Sequence, residues 1–154
     1  MENSKYLSHE ALARMVAAQG KIVNKIICHL WVNRINAAAP VELIDNLELH
    51  FIDNLKLTIS CDEAGEALDA IHYDFEQAKA ALDAEFAGKI KLFAVDASST
   101  KMWQDVIGKT LQAVKVVKEG EYHVAGSVVL DFGEEKRIVS ISPTDGLVID
   151  YFED

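Results

Sequence analysis

Between residues 47 and 61 apolar and polar positions alternate. Leu47, Leu49 and Phe51 share one face, Asp53 and Asn54 turn the chain, and Leu55, Leu57, Ile59 and Cys61 return to that face. The pattern predicts a β-hairpin with one buried side. Pairing Phe51 with Leu55 puts His50 across from Lys56 and Glu48 across from Thr58, on what reads as the solvent face. A lysine at that distance disfavours a charged imidazole, so His50 reads as a surface residue and not a base.

Helical spacing appears twice. In SHEALARMVAAQG, Leu12, Met15 and Val16 fall on one face, Ser8 can cap the start, and Gly20 can take the left-handed conformation that ends a helix. In DFEQAKAALDAEFAG, Phe75, Ala78, Leu82 and Phe86 form a stripe, with Asp74 as cap and Gly88 as stop. A shorter helix is expected in SSTKMWQDVIG, capped near Ser99 or Thr100 and closed by Gly108. Branched and aromatic residues at 22–34 predict a long strand, although a helix fits the pattern too. Further strands are expected at 89–95, 110–118, 121–132, 137–142 and 147–152.

These elements repeat in order. A helix, the pair Gly20-Lys21 or Gly108-Lys109, a strand, a strand ending in Phe51 or Phe132, a polar turn, and a strand ending Ile59-Ser60 or Ile141-Ser142 occur in both halves. An acidic bend with Gly65 or Gly146 and an apolar stretch reaching Tyr73 or Tyr151 follow. The order implies a degenerate duplication of an α-β-β-β unit, each copy too small to bury its own sheet face. The expected fold is α+β, a single domain over 1–154 with halves at about 8–73 and 99–152. Helix 74–87 and strand 89–95 join the halves, and that helix covers the antiparallel sheet.

Charge narrows the function. Against 25 acidic residues stand 15 basic ones, a formal net charge of -10. Nucleic acids and anionic membranes are bound mainly through Lys and Arg, so neither is an expected partner. An acidic surface can steer a basic protein, and it also simply confers solubility. The N-terminal stretch lacks a basic head before an apolar core, and no apolar run is long enough to span a membrane, so a cytoplasmic protein is expected. Cys28 and Cys61 read as reduced, buried thiols.

Candidate chemistry is sparse. The five histidines, at 9, 29, 50, 72 and 123, lack metal-ligand spacing. Asp62, Glu63, Glu66 and Asp69 cluster around Gly65, but their order does not match a calcium loop. No nucleophile elbow is present, and GKT at 108–110 lacks the upstream glycine of a phosphate loop. No catalytic, cofactor-binding or metal-binding residue is therefore expected, and no cofactor. The aromatic residues read as core, except that Trp31 lies in a strand apolar on both faces and suits an interface or pocket.

WQDVIGK, from Trp103 to Lys109, together with the LxFxD-like and ISPTDG-like pieces of 47–53 and 130–146, resembles small acidic bacterial proteins, some of them toxin-neutralising immunity proteins. That resemblance implies a stoichiometric binder and carries over no site residue. The expected function is a non-catalytic protein-binding module, an immunity-type inhibitor of a basic partner, using Asp62, Glu63, Glu66, Asp69 and Trp31. The alternative is a ligand-binding protein or enzyme with a pocket between the halves, drawing on His29, His72, His123 and Tyr73. A homodimer through an exposed strand edge is the third reading.

Overall fold

A computed structural model describes residues 6–61, 67–120, 122–142 and 146–153. Its elements, in chain order, are α1 (His9–Ala18), β1 (Val23–Asn33), β2 (Val41–Phe51), β3 (Lys56–Cys61), β4 (Leu68–Ile71), α2 (Phe75–Phe86), β5 (Ile90–Asp96), β6 (Ala113–Glu119), β7 (Tyr122–Asp131), β8 (Lys136–Ser142) and β9 (Gly146–Tyr151). The α+β architecture read from the pattern is the one observed. β1 to β4 form one antiparallel meander and β6 to β9 another, and Ile44 of β2 pairs with Leu147 of β9 to join them into one open, curled sheet. β5 pairs with the other edge of β1.

The two Gly-Lys segments meet through the backbone. Ile22 and Thr110, equivalent in the two halves, pair with each other. Val23 N–H donates to Lys109 O (3.0 Å) and Leu111 N–H to Lys21 O (2.8 Å). Gly108 N–H donates to Val23 O (2.8 Å) and Gly20 N–H to Leu111 O (2.7 Å). These reciprocal bonds are those of an antiparallel bridge, with Gly20 and Gly108 at equivalent places beside it. Gly20 (φ 86°) and Gly108 (φ 89°) take the same left-handed turn into it.

Both halves line one core. Leu47, Leu49, Leu57 and Ile59 from the first hairpin meet Val128, Leu130, Val139 and Leu147 from the second meander. α1 closes one side of it, with Ser8 Oγ accepting from Ala11 N–H at 3.1 Å. The buried face of α1 is Ala11, Met15 and Ala18, one step round from the expected one, so Leu12 is only half-buried and Val16 is exposed.

The short helix expected at 99–108 is a run of turns instead. Trp103 N–H donates to Thr100 O, Val106 N–H to Trp103 O and Lys109 N–H to Val106 O, a three-residue repeat. That spacing places Thr100, Trp103 and Val106 on one side, and Trp103 and Val106 sink into the core.

α2 forms as the stripe requires, with Asp74 Oδ1 accepting from Gln77 N–H at 3.0 Å. Its left-handed C-cap is Ala87 (φ 52°), and Gly88 (φ 80°) continues the turn. α2 packs along β5. Its stripe is half-buried, so it shields only part of the sheet face beneath.

Candidate functional site

The hairpin register is the one the alternation predicts: His50 lies opposite Lys56, and Glu48 opposite Thr58. Their face is not solvent. Asn46, Glu48, Thr58 and Ser60 are buried, as is His29, which reaches the same face from β1 opposite Asn46. β1 flanks the row on the far side of β2 from β3, and the chain entering α2 lies against His29. Phe75 stacks on the His29 ring at 4.6 Å between centroids and Tyr73 at 5.4 Å. Alternation shows which residues share a face, but not whether another element will cover it.

The buried polar groups satisfy one another. Glu48 Oε1 lies 2.8 Å from His50 Nε2, and Glu48 Oε2 lies 3.1 Å from His29 Nε2 and 3.8 Å from Lys56 Nζ. The other ring nitrogen of His29, Nδ1, faces Asn46 Nδ2 at 3.1 Å. An amide nitrogen can only donate, so Nδ1 accepts and Nε2 carries the proton given to Glu48. Burial pushes the Glu48 carboxyl up, but the hydrogen bonds from His29 and His50 and the nearby charges outweigh it and hold it at about 2.

Asp45 is the extra residue of a β-bulge: β1 pairs His29 with Asn46 and then Leu30 with Ile44. Burial raises its carboxyl pKa. The Tyr73 phenol is raised by burial and by the charges of Asp45 and Glu48, against a hydrogen bond with Asn46. Asn46 Oδ1 is buried with no partner among the described residues.

This arrangement limits the chemistry it can do. His29 is 1% exposed, with both ring nitrogens engaged. His50 is the imidazole a solute can reach, with its side chain 29% exposed. Glu48 Oε1 lies 2.8 Å from its Nε2 and orients the ring. Among the described residues no group of three or more His, Cys, Asp or Glu side chains is arranged to hold a metal ion.

The residues expected to bind a partner are partly placed. Asp62, Glu63 and Glu66 lie outside the described residues. Asp69 pairs with Ser60 on the face carrying Asn46 and His29, and its Oδ1 accepts from Ala70 N–H at 2.9 Å. Trp31 is half-buried on the same face, between Leu43 and Leu92. Of the alternative set, His29 and Tyr73 come together, but on the face turned away from the shared core, while His72 is exposed. The His123 side chain lies outside what is described. Cys28 is buried as expected, and Cys61 is only half-buried.

The sequence reading missed the outer edge of β5. Phe93 is 39% and Val95 41% exposed there, whereas the apolar pattern places aromatic side chains in the core. Among the described residues β5 has no strand on that side.

No family model matches the chain, and neither a curated protein nor a solved structure matches it. No helix among the described residues is long and apolar enough to cross a membrane.

Proposed function

We propose that this chain is a cytoplasmic, non-catalytic protein-binding module that holds a basic partner stoichiometrically, in the manner of an immunity-type inhibitor. The observation that carries the reading is the outer edge of β5, which has no strand beside it among the described residues and exposes Phe93 and Val95, in a chain of net charge -10. Exposed apolar side chains beside free backbone groups are an interaction hazard that folds usually cover unless they use it. The polar cluster supports binding over catalysis, because its carboxylate and inner imidazole are engaged with each other and not turned to a substrate. Asp62, Glu63, Glu66, Asp69 and Trp31 remain the residues proposed to contact the partner.

The test is affinity capture of the tagged protein from its native lysate, eluted at rising salt, followed by remixing the two purified proteins. A basic protein that rebinds at one-to-one stoichiometry, and weakens when Asp62, Glu63 and Glu66 are changed to Lys, supports the reading. Recovery of the tagged protein alone counts against it.

One observation favours a second reading, ligand binding or catalysis at His50. Its imidazole is oriented by Glu48 and lies between Lys25 and Lys56 on the neighbouring strands. A strongly bound small anion perturbing His50 would favour that reading.

A further inference from the structure

Resting on the protein-binding reading, we propose that the outer edge of β5 at residues 93–96 takes up an extended strand from a partner whose side chains alternate between apolar and basic. The backbone shows which groups are free. Arg34 N–H donates to Lys89 O at one end of the β1–β5 ladder, and Ala97 N–H to Ile26 O at the other. The register between is unbroken, from Asn33 opposite Ile90 to Ile27 opposite Asp96. In an antiparallel pair the bonded residues alternate, so Lys91, Phe93 and Val95 turn their N–H and C=O to β1. Ile90, Leu92, Ala94 and Asp96 turn theirs outward.

Leu92 and Ile90 are buried, whereas Phe93, Ala94, Val95 and Asp96 are exposed. The accessible ladder is therefore the N–H and C=O of Ala94 and Asp96. That is enough to seat a short strand, with side chains supplying the choice of sequence.

The two sides of this edge differ. Phe93 and Val95 lie on one face, Ala94 and Asp96 on the other, so an added strand meets apolar surface with every second residue. The alternate residues meet charge. The Asp96 carboxyl is held below its usual range by hydrogen bonds from Ser98. α2, alongside β5, carries Glu76, Asp83 and Glu85 against one Lys79. Lys25 neighbours Asp96, so the local excess of negative charge is modest and the basic residues select more than they drive. A second copy of the chain carries the same net charge of -10, and the repulsion between the two whole chains disfavours self-pairing.

The experiment uses a labelled synthetic peptide alternating Val and Lys, titrated by fluorescence anisotropy against the full chain. Controls are the same composition in two blocks and a Val/Glu alternation. Ala94→Pro removes one outward N–H and no ladder bond, so it folds normally. Asp96→Asn keeps the acceptor for Ser98 N–H and removes the charge. The expected result is saturable binding of the Val/Lys peptide, weakened about tenfold or more by Ala94→Pro at unchanged melting temperature, and weakened at low salt by Asp96→Asn. Equal binding by Ala94→Pro, equal binding of the blocked peptide, preference for Val/Glu, or a homodimer that Ala94→Pro dissociates would each overturn the proposal. If a captured native partner is still held by Ala94→Pro, the edge is wrong and the protein-binding reading stands.

Discussion

Glu48 and His29, nineteen positions apart and on adjacent strands, meet at 3.1 Å beneath the rings of Phe75 and Tyr73, and the second oxygen of the same carboxylate holds His50 at 2.8 Å. This contact couples the stability of the fold to acid. The Glu48 carboxyl lies at about 2 in the folded chain against an ordinary 4.5. The unfolded chain therefore binds its proton more readily. The stabilisation is complete above pH 4.5 and is lost as the pH falls towards 2. Denaturant unfolding measured from pH 2 to 6 should show that slope. Glu48→Gln should flatten it and lower stability at neutral pH by roughly 3 kcal/mol, since it leaves buried partners unmatched.

Gly146 should be among the least replaceable residues of the chain. It opens β9 at φ 72°, where the two meanders join, and an added Cβ would lie 2.5 Å from Ile44 O and 2.9 Å from Leu43 Cδ1. The first of these is backbone and cannot step aside. Gly146→Ala should cost roughly 2–3 kcal/mol. Gly133→Ala shares the unfavourable φ (95°) but meets only the Gln112 side-chain amide, at 3.0 Å, and should cost less. Paired thermal melts check the order.

Cys28 should be inert in the folded protein. It is buried in β1, and burial pushes its thiol up to about 11, so the reactive thiolate is scarce at pH 8. A colorimetric thiol assay should count one slow thiol in the native protein that reacts promptly in denaturant.

Much of the fold was legible in the sequence because it is written in local patterns. The alternation at 47–61 contained the hairpin register, and Ser8, Asp74, Gly20 and Gly108 marked boundaries the backbone honours. The repeated Gly-Lys pairs lie side by side at an antiparallel bridge. What failed was non-local. Whether the Glu48 face meets water depends on β1 and on the chain entering α2, neither of which alternation within the hairpin can reveal. Trp103 shows the same limit, since helix-like spacing at 99–108 gave way to turns that bury a large ring. The candidate site was half visible: His29 and Tyr73 were singled out, but Asn46, Asp45 and Glu48 became partners only through a register and a bulge. The β5 edge left no local signal, because a strand reads the same whether or not a neighbour lies beside it.

The measurement closest to the central claim is residue-resolved amide hydrogen exchange along β5, in the free protein and in its one-to-one complex with a captured basic partner. The account predicts slow exchange at Phe93 and Val95 in both states, and fast exchange at Ala94 and Asp96 that becomes slow only in the complex. Protection of Ala94 and Asp96 in the free monomer, or a complex that leaves them exchanging freely, would contradict it.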